Sequence, residues 1–214
     1  MSFFRRLCLE TEDARQQLLT LPVITQTIQG KVSQERYLAF LAQAYHHVRH
    51  TVPLLMACGS RLSEPQTWLQ HAIAEYIEEE IGHEQWILND IEAAGGHRNA
   101  TRNSLPSFET EVMVAYAYDG IQRRNPVSFF GMVHVLEGTS IALATQAAGK
   151  IQQGLELPDT AFSYLRSHGD LDIEHVQFFE KLMDRIEDPD DQQAIIHATK
   201  NFYRLYGAVL ASLP

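Results

Sequence analysis

Between residues 129 and 144 the chain reads FFGMVHVLEGTSIALA, sixteen positions that are apolar or small almost throughout. A helix that is hydrophobic around most of its circumference is buried, so this segment belongs at the centre of a helical bundle. One carboxylate, Glu137, sits in the middle of it. A buried, unpaired carboxylate is costly and must be neutralised, paired or bound to a metal ion. His134, one turn earlier, is a further ligand or a partner that orients one. The competing reading satisfies Glu137 with an arginine or a protonated histidine.

The rest of the chain also reads as helix, with no sustained period-2 alternation bounded by turn residues. A first helix covers roughly residues 10 to 20 and ends near Pro22; a second starts at Ser33, a capping residue, and runs to about residue 61 with a kink at Pro53. A third opens at Pro65 and stops at Gly95-Gly96. Residues 97–106 read as a loop. A fourth helix covers residues 107–124, a fifth follows Pro126, a short sixth follows Pro158, a seventh starts at Leu171 and an eighth at Asp190. Short connections make successive helices neighbours. The expectation is an all-α fold, a single-domain bundle of seven to eight helices over residues 1–214.

Charge and composition remove several function classes. The net charge is −10 and no basic stripe offsets it, which argues against nucleic acid and against an anionic membrane surface. No run approaches the ~20 apolar residues that span a bilayer. The N-terminus turns acidic early and lacks the features of a secretory leader, so a cytoplasmic location is expected. Cys8 and Cys58 form no C-x-x-C pair, which leaves neither a zinc ribbon nor a redox motif. No glycine-rich phosphate loop or nucleophile elbow is present.

Two clusters join Glu137 as candidate ligands. EEEIGHEQW puts Glu80 and His83 three positions apart, on one face if the helix is continuous, with Glu79 beside them. Glu-x-x-His is a pattern that helical di-iron carboxylate proteins use; a solvated acidic face is the plainer reading. SHGDLDIEH sets His168, Asp172 and His175 at offsets 0, 4 and 7, one stripe of a helix. A dipole-favoured acidic first turn explains the aspartates there but not the two histidines. Together these six residues are three carboxylates and three imidazoles, a donor set suited to two iron or manganese ions, with zinc also open on ligand type. In AYHHVRH, one of His46, His47 and His50 is an extra ligand or a pocket wall, or all three are satisfied structural histidines.

The combination AYHHVRHTVPLL, EEEIGHEQWILNDI, HVLEGTSIALA and HGDLDIEHVQFF, over about residues 33 to 210, resembles the haem-oxygenase-like di-iron oxidases, also called iron-containing redox enzymes. These are similar to the TenA, PqqC and CADD-like proteins. The resemblance implies a haem-oxygenase-like helical bundle holding two Fe(II), or manganese, through Glu80, His83, Glu137, His168, Asp172 and His175. It implies an O2-dependent enzyme that oxidises or cleaves a small amine, amino acid or fatty acid. Many members carry their first glutamate seven positions before the histidine; here Tyr76 stands there, so Glu80, or else Glu79, takes the role. Members that consume their own side chains rely on a lysine where this chain has Ala147, which argues against self-modification; Tyr164 resembles a tyrosine near the metals in that subgroup. Tyr116, Phe129, Phe130 and Tyr164 are the expected pocket walls, Glu79 and His134 the expected supports of the ligands, and a homodimer is compatible with the fold. Three alternatives share or mimic this pattern: a TenA-type hydrolase with a cysteine nucleophile, a PqqC-type cofactorless oxidase, and a non-catalytic helical scaffold.

Overall fold

The computed structural model describes the backbone of residues 1–214 and the side chains of residues 1–139, 143–167 and 177–214. Eleven α-helices follow one another: α1 (Phe3–Leu19), α2 (Pro22–Ile28), α3 (Gln34–Val48), α4 (Thr51–Arg61), α5 (Leu69–Glu80), α6 (His83–Ala93), α7 (Arg98–Asn103), α8 (Phe108–Arg123), α9 (Phe130–Leu155), α10 (Ser163–Met183) and α11 (Pro189–Ala211). Short 3-10 turns lie at Glu64–Gln66, Pro126–Phe129 and Asp159–Ala161. The all-α expectation is met; the helix count is higher, because two expected helices are each broken in two and α2 and α7 are additional, which outweighs the fusion of two others.

The breaks have local causes. The expected second helix ends at Val48 and restarts at Thr51, so the interruption precedes Pro53. Pro53 then falls in the first turn of α4, where a backbone N–H has no intrahelical acceptor and its loss costs little. The expected third helix divides at Ile81-Gly82, with Gly82 at φ +95°, a left-handed conformation open to glycine. The expected sixth and seventh helices are one helix, α10; a single interior glycine costs only about 1 kcal/mol. Within the expected loop 97–106 lies the short α7, and Pro22 opens α2 rather than closing the first helix.

Among the described residues the buried side chains form two clusters. One gathers Leu54 and Ile73 with Met113, Phe130, Phe179 and Phe202. The other gathers Tyr37 and Leu41 with Ile87, Ala148 and Phe162. α9 contributes its first half to one and its second half to the other, so Glu137 lies on the helix between them. α10 packs along α9 and against α6, and α11 crosses α9. No helix among the described residues is long and apolar enough by itself to cross a membrane.

The α9–α11 crossing is close. A Cβ built on Gly131 would stand 2.7 Å from the Thr199 backbone nitrogen and 2.9 Å from the Ala198 Cβ. Backbone cannot retreat as a flexible side chain does, so Gly131→Val should destabilise the fold by about 3 kcal/mol. Equilibrium urea unfolding measures it; a loss below about 0.5 kcal/mol would contradict this crossing.

Candidate functional site

The break at Gly82 sets the first pair of candidate ligands. Glu80 is the last residue of α5 and His83 the first of α6, so they face each other across a turn and not along one continuous helix. His83 Nδ1 lies 3.2 Å from Glu80 Oε2, with the side chains 5% and 13% exposed. The His83 ring stacks on Trp86 with centroids 4.0 Å apart, which limits its rotation. Glu79, the alternative ligand, is exposed.

Glu80 and Glu137 line one cavity of about 70 Å³, together with His47, Tyr76, Phe129 and Tyr164. Two carboxylates from α5 and α9 therefore share one small space. Tyr76, at the position where many relatives carry a glutamate, stands in the same wall. Of the three histidines in AYHHVRH, His47 reaches the cavity and its ring meets Tyr206 edge-on. His46 Nε2 instead lies 2.9 Å from Ser104 Oγ, and His50 Nδ1 lies 3.2 Å from the Tyr118 hydroxyl. Burial, aided by Arg49, pushes both of those imidazoles below the ordinary histidine range.

Two expected pocket residues lie elsewhere. Tyr116 accepts a hydrogen bond at 2.8 Å from Asn201 Nδ2, and the Arg124 guanidinium covers its ring. Phe130 is fully buried against Phe129 and Phe179 and is not in the cavity wall. Both follow the rule that an aromatic on an apolar helix face is core first. Phe129 and Tyr164 do line the cavity. His168, Asp172 and His175 lie outside the described residues. Among the described residues, no three His, Cys, Asp or Glu side chains are grouped closely enough to hold a metal ion.

His134, the expected ligand or orienting partner, is enclosed by aromatic rings, stacked on Phe179 and edge-on to Phe4 and Tyr203. It shares the wall of another cavity, of about 350 Å³, with Glu137, Cys8, Glu12 and Arg15. Burial first, and Arg15 second, push its imidazole down to about 4. The folded protein thus keeps His134 neutral where the unfolded chain, near 6.5, takes up a proton. Its contribution is fully present above pH 6.5 and is lost as pH falls from there towards 4, roughly 3 kcal/mol in all. Urea unfolding of the protein and of His134→Phe at pH 7.5 and 4.5 measures this. The variant should lose clearly less stability on acidification; equal losses would contradict a buried neutral ring.

A residue that the sequence did not single out positions α10. Asp90, on α6 and completely buried, accepts hydrogen bonds from the backbone N–H groups of Ser163 (3.0 Å) and Tyr164 (2.8 Å) and from the Ser163 hydroxyl. It caps α10 from another helix, where the residue before α10, Phe162, has no capping side chain. Burial pushes the Asp90 carboxyl above its ordinary range, and these hydrogen bonds pull it back. α6 thus carries both His83 and the group that fixes the start of the helix bearing His168, Asp172 and His175.

Comparison with known proteins agrees with this architecture. Residues 38–207 match the family described as iron-containing redox enzymes. No curated protein sequence matches the chain. A domain of unknown function with a heme oxygenase-like fold from Shewanella denitrificans OS217 superimposes with a TM-score of 0.89 at 21% identity, covering 98% of this chain and 91% of that one. A TenA homolog from Pseudomonas syringae pv. tomato gives 0.79 at 11% identity, covering 97% and 90%. A CADD-like protein of unknown function from Nostoc punctiforme gives 0.74 at 16% identity, covering 98% and 97%. With the matched segment spanning most of its length, and with that all-helical heme oxygenase-like fold, the chain belongs to the iron-containing redox enzyme family.

Proposed function

We propose that this protein is a non-haem di-iron oxidase or oxygenase that uses O2 to oxidise or cleave a small organic substrate. The observation that supports it best is the meeting of Glu80 and Glu137, from separate helices, in the wall of one cavity, with His83 held against Glu80. A scaffold has no use for two largely buried carboxylates at one apolar space, since each carries a desolvation cost. The donor chemistry fits iron. Glu80, His83 and Glu137 would hold it from one side. His168, Asp172 and His175 follow the cavity-lining Tyr164 by four, eight and eleven positions, the spacing of one helical stripe, and would complete the set. Carboxylates with imidazoles suit Fe(II), with Mn(II) the alternative.

Bound iron would supply the one-electron chemistry with O2 that side chains lack. The chain's own part is to fix the ligands and shape the space. Trp86 holds the His83 ring, Asp90 anchors α10, and Leu54, Leu55, Met132 and Leu136 keep the cavity apolar. Burial pushes the Tyr206 hydroxyl up to about 12, so it stays a phenol able to donate a proton beside the site. The cysteine-hydrolase reading is weaker. Cys58 is fully buried, donates to the Pro126 carbonyl and is pushed up to about 12 by burial, while burial raises Cys8 as well. Neither is a ready thiolate.

Anaerobic ferrous titration followed by an O2 pulse tests the proposal. Uptake of two iron ions per chain and a transient visible absorption after the pulse are expected. No iron uptake and no absorption change would favour a metal-free enzyme or a scaffold.

A further inference from the structure

Glu137 stands in the walls of two cavities. On one side is the small space it shares with Glu80. On the other is the cavity of about 350 Å³ under α1, whose walls include Glu12, Arg15, His134 and Gly138. The two spaces therefore adjoin at this carboxylate. The Glu12 side chain is 46% exposed, so the α1-side cavity reaches the surface. A third cavity, apolar and of about 110 Å³, adjoins the Glu80–Glu137 space at Tyr164 and Tyr206, on the side of α2.

The two approaches to Glu137 suit different solutes. Taking an ion out of water into an apolar lining is expensive. On the α2 side the one charged group among the described lining residues is Arg36, a cation that repels another. The α1 side carries Glu12 and Glu137, and Glu180 acts on Cys8 in the same wall. Its cation, Arg15, lies 3.5 Å from Glu12 and is offset by it. The balance there is anionic. His134 points the same way. It is 9% exposed, and among the described residues none hydrogen-bonds its ring nitrogens. A buried imidazole with no polar partner is costly and calls for a ligand. Burial holds the ring neutral, so one nitrogen keeps a lone pair for a cation. Imidazole suits Fe(II). His134 and Glu137 lie one turn apart on α9, about 5–6 Å between Cβ atoms.

We infer that ferrous iron enters and leaves the candidate centre through the cavity under α1, passing from Glu12 at its rim to the His134 imidazole and then to Glu137. This rests on the proposed oxidase reading. The iron stays ferrous throughout; it exchanges water for imidazole and carboxylate donors on the way in and regains water on the way out. The apolar α2 side carries none of this traffic.

A passage alters the rates in both directions by one factor and leaves their ratio, the affinity, alone. Anaerobic rapid mixing of iron-free protein with ferrous iron, quenched into a ferrous chelator at timed intervals, measures uptake. Excess chelator added to loaded protein measures release, and equilibrium competition with the same chelator measures affinity. His134→Phe removes the ring nitrogens and keeps an aromatic ring in place. It should slow uptake and release together by about tenfold, the strength of one contact to a charged group. Gly138→Leu should also slow both: a Cβ built there meets nothing within 4 Å, so the side chain enters the cavity without a clash. Ala147→Leu, which narrows the α2-side cavity, should leave both rates unchanged. Unchanged rates in both α1-side variants, slowing by Ala147→Leu alone, or slower uptake with a matching loss of affinity would overturn the inference. No iron uptake at equilibrium by the unsubstituted protein would sink the oxidase reading itself, whereas full affinity with rates indifferent to His134 and Gly138 would remove the passage alone.

Discussion

Glu137→Ala should weaken ferrous iron binding by about 100-fold or more. Loss of a group that merely supports a ligand typically costs 10–100-fold in metal affinity, and loss of a ligand costs at least as much. Glu137 is the one carboxylate on α9 before Glu156, it is placed between the two core clusters, and it shares the cavity with Glu80. No neighbouring carboxylate on that helix is available to replace it. Glu137→Gln separates the possibilities: it keeps the shape and removes the charge, so it should bind iron nearly as poorly as alanine. Glu92→Ala is the control, because Glu92 is exposed, pairs with Arg98 away from the cavity and should leave affinity unchanged. Iron retained at full affinity by both Glu137 variants would mean that the carboxylate serves packing alone.

Asp90→Ala should cost about 3 kcal/mol and lower the melting temperature by roughly 6–12 °C. The substitution removes the acceptor of two backbone N–H groups and a hydroxyl at the start of α10. Those donors stay in the interior without it, and leaving buried donors unmet is the expensive part. Asp90→Asn should also destabilise, because its amide NH2 would face a backbone N–H where an acceptor is needed. The same variants should bind ferrous iron more weakly, since α10 carries three of the six proposed ligands. Differential scanning calorimetry and ferrous titration measure the two effects. A stable variant with unchanged iron affinity would show that α10 is positioned by its packing on α9 alone.

The sequence reveals the parts of the site whose cost is local. Glu137 is conspicuous because a carboxylate inside an apolar helix violates the pattern around it. Glu80 is harder to separate from Glu79: the choice depends on the break at Gly82, and no proline marks it. Three histidines fall within five positions at the end of α3 and the turn after it, so helical spacing alone does not tell which of them reaches the cavity; His47 does, beside residues of α5, α9 and α11. Asp90 gives no signal, since its partners are 73 and 74 positions away. Tyr116 and Phe130 show the limit of reading aromatics as pocket walls when most aromatics fill cores. The helical class was clear from periodicity, whereas helix ends depended on tertiary choices such as Pro53 entering a first turn.

The most direct test of the central claim is anomalous X-ray diffraction at the iron edge from crystals grown anaerobically with ferrous iron. Two iron peaks per chain are predicted in the cavity lined by Glu80 and Glu137, with His83, His168, Asp172 and His175 as the other protein ligands. Well-ordered crystals with no iron there, or with His168 and His175 turned to solvent, would contradict it.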